Sequence, residues 1–125
     1  MAEHKILLVD DEVDITDALA LFFKNRGFDV VAENDPCNVA GILDRDKAID
    51  LIIMDIKMPG MKGIDVFKQI REKNIDTPVI FLTGSISLEK HLQELMDFGF
   101  KEENFLDKPI NLNFLLEKVQ SVLAE

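Results

Sequence analysis

Five short, mostly apolar runs divide this chain, at residues 5–9, 28–32, 51–54, 79–82 and 104–106, and each is followed by a stretch with helical spacing. After the first run, Val13, Ile15, Ala18, Leu19 and Phe22 fall on one side of a helix that Gly27 stops. After the second, Asp35 and Pro36 read as an N-cap with proline in the first turn, opening a weaker helix with Val39, Ile42 and Leu43 inward. Gly63 precedes a third helix carrying Ile64, Phe67 and Ile70, which ends near Lys73 and Asn74. Ser87 can cap a fourth, with Leu88, Leu92, Leu95 and Met96 inward and Gly99 as its stop. Asn111 starts the last, which carries Leu112, Leu115, Val119 and Val122. Strand then helix, five times, requires a parallel sheet with right-handed crossovers and helices on both faces.

In such a sheet every strand's carboxyl end lies on one edge. Asp10 and Asp11, Asp55, Thr83 and Lys108 all fall at or just past a strand end, so distant parts of the sequence meet on one rim. The central run, Leu51-Ile52-Ile53-Met54, is apolar on both faces, as expected of a strand buried within a parallel sheet, and it stops at Asp55. A lone carboxylate there could simply mark the polar boundary of the strand. The acids at 10–12 could equally cap the first helix, where negative charge complements the macrodipole. Lys108 alone could be a solvated charge.

Together they read differently. Three carboxylates in one place repel one another unless some bind protons or a cation sits among them, and a hard divalent ion such as Mg²⁺ prefers such oxygens. A carboxylate, a divalent ion, a lysine and a hydroxyl match the needs of phosphoryl transfer, with Asp55 as nucleophile, Lys108 on one phosphoryl oxygen and the Thr83 hydroxyl on another.

Composition narrows the partners. The 125 residues suit one domain spanning 1–125, and 47% hydrophobic with 30% charged residues is ordinary for a globular protein. A net charge of -10 disfavours nucleic acid and anionic membrane surfaces. Cys37 is the only cysteine, which excludes an internal disulfide and fits a reducing compartment. The run at 18–23 is too short to span a membrane and no signal region opens the chain, so a soluble, cytoplasmic protein is expected. Nine phenylalanines and no Trp or Tyr make the aromatic core phenylalanine.

From Ile6 to Leu123 the sequence resembles the receiver domains of two-component response regulators. The resemblance rests on Leu8-Val9-Asp10-Asp11-Glu12, on Met54-Asp55-Ile56-Lys57-Met58-Pro59-Gly60 with Gly63, on Phe81-Leu82-Thr83-Gly84 and on Phe105-Leu106-Asp107-Lys108-Pro109, in that order. It implies a flavodoxin-like (βα)5 sandwich with strand order 2-1-3-4-5. It also implies that Asp55 accepts a phosphoryl group from a histidine kinase or a histidine phosphotransfer protein. Asp11 would bind Mg²⁺ (or Mn²⁺) directly, Asp10 largely through water, and the Lys57 backbone carbonyl would complete the protein's share. Thr83 and Phe105 would switch, reshaping the surface of helix 4, strand 5 and helix 5 for a downstream protein target. Lys57 and Ser85 would tune the phosphoryl lifetime, and the Lys108-Pro109 peptide would be cis. Such a chain is a signalling phosphoacceptor, catalysing only its own phosphorylation and dephosphorylation.

Several points depart from that pattern or compete with it. Gly99 and Phe105 are separated by a longer, more charged link than the family's, which bears on the shape of the signalling face. Phe105 has no hydroxyl to anchor an outward position. Ile15 and Leu19, beside Ile110, are candidates for docking the phosphodonor. With no output domain following residue 125, the chain is either a stand-alone regulator or a receiver cut from a longer protein. The competing readings are a phosphorylation-independent interaction domain, a Mg²⁺-dependent phosphatase and a flavin binder. The second is opposed by Lys57 standing where a general acid would be, and the third by acids where a phosphate cradle is needed.

Overall fold

The computed structural model describes residues 4–83, 89–108 and 110–124, without the side chains of Thr83, Glu89, Lys90 and His91. The expectations for Ser85, Ser87, Leu88 and Pro109 lie outside the described residues. The elements run β1 (Lys5–Val9), α1 (Val13–Lys24), β2 (Asp29–Glu33), α2 (Val39–Arg45), β3 (Ile49–Met54), α3 (Gly63–Glu72), β4 (Val79–Thr83), α4 (Glu89–Asp97), β5 (Phe105–Asp107) and α5 (Leu112–Leu123). All strand pairs are parallel, in the order β2-β1-β3-β4-β5. The expected fold class is therefore the observed one.

Strand alternation sorts the core into two layers. Leu7, Val9, Ile52, Met54, Val79 and Phe81 face one way, onto Val39 and Leu43 of α2, Phe67 and Ile70 of α3 and Leu95 of α4. Ile6, Leu8, Leu51, Ile53, Ile80 and Leu82 face the other, onto Leu19 and Phe23 of α1 and Leu115, Val119 and Val122 of α5. Apolar side chains on both faces of β1, β3 and β4 explain why those runs are unbroken in sequence, whereas edge strand β2 is only partly buried.

Helix ends depart from the expected apolar faces. Val13 is 53% exposed, Met96 45% and Leu112 38%, each in the first or last turn of its helix. Within α1 the buried residues are Thr16, Leu19 and Phe23; of the expected face, Leu19 is buried, Ile15 and Phe22 are partly buried against the same core, and Val13 and Ala18 face solvent. Asp35 does cap its turn, accepting a hydrogen bond from the Cys37 amide, but the turn is a 3-10 turn over Pro36–Asn38 that leads into α2.

The long link before β5 is absorbed inward. Gly99 reverses the chain at φ +92°, and Phe100 packs edge-on against Phe67 with centroids 5.7 Å apart and tilted against Phe81 at 5.2 Å. A 3-10 turn, Glu102–Asn104, uses up the remaining residues, closed by a bond from the Asn104 amide to the Lys101 carbonyl at 2.9 Å.

Candidate functional site

Asp10 and Asp55 end the neighbouring strands β1 and β3, so the sheet itself sets them side by side. The Asp55 amide donates to the Val9 carbonyl at 3.0 Å and the Asp10 amide to the Glu33 carbonyl at 3.2 Å, continuing the sheet pattern one residue beyond the strands. Each carboxylate spends one oxygen locally: Asp10 Oδ1 accepts from the Glu12 amide at 2.9 Å, and Asp55 Oδ1 from the Ile56 amide at 2.7 Å. Their other oxygens meet Lys108, which follows β5 and reaches back past the end of β4. Its Nζ lies 3.0 Å from Asp10 Oδ2 and 3.4 Å from Asp55 Oδ2.

Asp10 is 5% exposed, so one of the two acids neutralised by the lysine is almost entirely removed from water. Burial pulls the Lys108 ammonium toward a lower pKa. The hydrogen bond and charge of Asp10, then those of Asp55, outweigh it and hold the group above its ordinary value. Asp11 stands exposed at the mouth of the site. One oxygen from each of Asp10, Asp11 and Asp55 lies within 4.8 Å of the others. A single lysine leaves net negative charge among them. Carboxylate oxygens with one ligand open to solvent suit a hard, partly hydrated cation, so the residues present fit Mg²⁺.

The β3–α3 turn is fastened beneath Asp55. Gly63 donates from its amide to the Ile56 carbonyl at 2.8 Å, and a Cβ on it would stand 2.2 Å from the Asp55 carbonyl oxygen. Only glycine allows the first turn of α3 to pass so close to the Asp55 backbone. Lys57 lies between buried Ile56 and Met58, with its side chain in solvent. The Thr83 backbone ends β4 in register with Asp107, on the same rim; its side chain lies outside the described residues, as do Ser85 and Pro109. Phe105 is half-buried against the core, opposite Phe81. Among the docking candidates, Leu19 is a core residue, whereas Ile15 and Ile110 are only partly buried.

Asn34 and Thr16 were not singled out by the sequence, yet both touch the acidic loop. Asn34 Nδ2 lies 2.8 Å from the Asp10 carbonyl and 2.9 Å from Thr16 Oγ1, and that hydroxyl donates to the Val13 carbonyl at 3.0 Å. An asparagine before Asp-Pro reads only as a turn residue, and a threonine inside a helix reads as neutral; nothing local pairs them.

Comparison with known proteins agrees with this geometry. Residues 6–120 match the family model of the response regulator receiver domain. The chain is 33% identical over 120 residues to the transcriptional regulatory protein CpxR of Escherichia coli K12, covering 96% of this chain and 49% of that protein. It is 27% identical to the sensory transduction protein RegX3 of Mycolicibacterium smegmatis, covering 94% of this chain and 50% of the relative. The chain thus spans about half the length of these curated relatives. Among solved structures, a response regulator receiver protein from Pseudomonas putida superposes with a TM-score of 0.86 at 31% identity, covering 97% of this chain and 98% of the other. The chemotaxis protein CheY4 of Vibrio cholerae gives 0.84 at 31% identity, covering 97% and 99%. Among the described residues no helix is long and apolar enough to cross a membrane.

Proposed function

The chain belongs to the response regulator receiver domain family, and from that premise we propose that Asp55 is its phosphoacceptor, charged by a histidine kinase or a histidine phosphotransfer protein. The observation that carries this reading is the Lys108 ammonium held between Asp10 and Asp55, with Asp11 in reach. That is a nucleophile, a counter-charge and an acidic cation site on one rim.

In this reading an Asp55 carboxylate oxygen attacks phosphorus in line. The oxygen–phosphorus bond forms as the bond from phosphorus to the donor's imidazole nitrogen breaks, and the electron pair returns to that nitrogen. Lys108 loosens its contact with Asp55 and holds a phosphoryl oxygen, and the Thr83 hydroxyl takes another. Asp10, Asp11, Asp55 and the Lys57 carbonyl would hold Mg²⁺, with Mn²⁺ as a substitute. The ion supplies charge neutralisation between the acids and the incoming phosphoryl oxygens. The chain thereby catalyses only its own phosphorylation and dephosphorylation. The lifetime of the product is tuned by Lys57 and Ser85, and its signal is read through Thr83 and Phe105 by a protein that docks on α4, β5 and α5. The acidic surface opposes direct nucleic-acid or membrane binding, and the lone cysteine fits a cytoplasmic setting.

Intact mass after incubation with acetyl phosphate tests the assignment. The expected result is one Mg²⁺-dependent phosphoryl adduct, absent in Asp55→Asn. A folded, Mg²⁺-supplied protein that gains no adduct from acetyl phosphate or from a phosphorylated histidine donor would favour an interaction domain independent of phosphorylation.

A further inference from the structure

Asp10, Asp11 and Glu12 are three consecutive acids on the short loop between β1 and α1. Their mutual repulsion favours splaying, most of all for exposed Asp11, whose side chain makes no hydrogen bond among the described residues. Both ends of this loop are tied to β2's exit. Asn34 has two amide hydrogens and two acceptors in range, the Asp10 carbonyl at 2.8 Å and the Thr16 hydroxyl at 2.9 Å. The hydroxyl accepts that bond and passes its own hydrogen to the Val13 carbonyl at 3.0 Å. Thr16 is 1% exposed, so its hydroxyl has no ready substitute partner in water. The chain of bonds therefore grips the carbonyls on either side of Asp11 and Glu12.

The support behind Asn34 is also fixed. The preceding residue, Glu33, accepts the Asp10 amide through its carbonyl, and its carboxylate accepts the Asp35 amide at 2.9 Å. Asp35 in turn caps the Pro36–Asn38 turn. A loop held at both ends by partly buried hydrogen bonds that converge on the buried Thr16 hydroxyl keeps its acids gathered before any cation arrives, and the ordering then need not be supplied at the moment of binding.

We infer that Asn34 and Thr16 are positioning residues that preorganise the acidic loop for its divalent cation. The inference rests on the metal-assisted reading above and extends it to two residues that touch neither cation nor phosphoryl group.

The test is calorimetric Mg²⁺ titration of the wild-type chain, Asn34→Ala, Thr16→Val and Thr16→Ser, with folding checked by circular dichroism. Groups that hold a metal site's ligands in place typically contribute 10–100-fold in affinity. Asn34→Ala and Thr16→Val should weaken Mg²⁺ about tenfold while remaining folded, and Thr16→Ser, which keeps the hydroxyl, should recover most of the loss. A purely structural role would lower the unfolding midpoint of Thr16→Val and leave its Mg²⁺ affinity unchanged, which overturns the inference alone. Wild-type protein that binds no Mg²⁺ overturns the metal-assisted reading and this inference with it. If either replacement fails to fold, the Thr16→Ser and Asn34→Ser pair still decides, since equal affinity in Asn34→Ser and wild type would also sink the clamp.

Discussion

Lys108 holds two carboxylates at once, so its removal has two opposite effects. Lys108→Met should let Mg²⁺ bind more tightly, because the ammonium no longer competes for the same oxygens, yet phosphorylation should slow by an order of magnitude or more, because the phosphoryl charge loses its partner. Calorimetry and the rate of adduct formation separate the two. The same contact is pH-dependent. Since the folded state raises the Lys108 pKa, the stability it contributes is fully present below the ordinary lysine value of about 10.4 and is lost as pH rises through the elevated one. The stability difference between wild type and Lys108→Met should therefore shrink on the alkaline side, in denaturant melts between neutral pH and about pH 11. Gly63 acts by what it lacks. A methyl group 2.2 Å from the Asp55 carbonyl must displace backbone, so Gly63→Ala should cost about 1–3 kcal/mol by urea unfolding and also slow adduct formation. A normal phosphorylation rate in that variant would show that α3 can move without dragging Asp55.

Among the elements, the link from α4 to β5 changes most between reading and structure. In the sequence its extra length and charge only left the shape of the neighbouring surface open. In the structure Phe100 turns inward and completes an aromatic trio with Phe67 and Phe81, at 5% exposure. Phe81 lies on β4 two residues before Thr83, so the link is packed against the strand that ends at Thr83. Phe100→Ala should destabilise the protein by about 3–5 kcal/mol, read by thermal or urea unfolding. A loss under about 1 kcal/mol would mean that the link is not part of the core. Helix periodicity located the helices but not how far their apolar faces are covered: Val13, Met96 and Leu112, in terminal turns, carry the right spacing and still face solvent.

For the whole molecule, five parallel strands bring three acids and a lysine together from positions 98 residues apart, Asp10 and Lys108 being the extremes. Concentrating like charge at one edge costs stability that a bound cation returns. Mg²⁺ at a hundred times its dissociation constant should add about 2.7 kcal/mol to unfolding stability, seen as a raised melting temperature that a chelator reverses and that Asp11→Asn abolishes. An unchanged melting temperature across saturating Mg²⁺ would mean that the acids do not share an ion.

Much of this was legible in the chain. Apolar runs that end on acids, helical spacing between them and the order of Asp10, Asp55, Thr83 and Lys108 determine the parallel sheet and its working edge, because strand burial and strand direction are local consequences of residue pattern. The contacts that hold the edge together were not legible. The bond from Asn34 to Thr16, the Gly63 passage under Asp55 and the inward turn of Phe100 join residues whose local patterns are silent or point elsewhere. Pattern sets which face of an element is apolar, but where an element stops, and which distant polar group fills the space at its end, is decided only when the layers pack and every buried donor must find an acceptor.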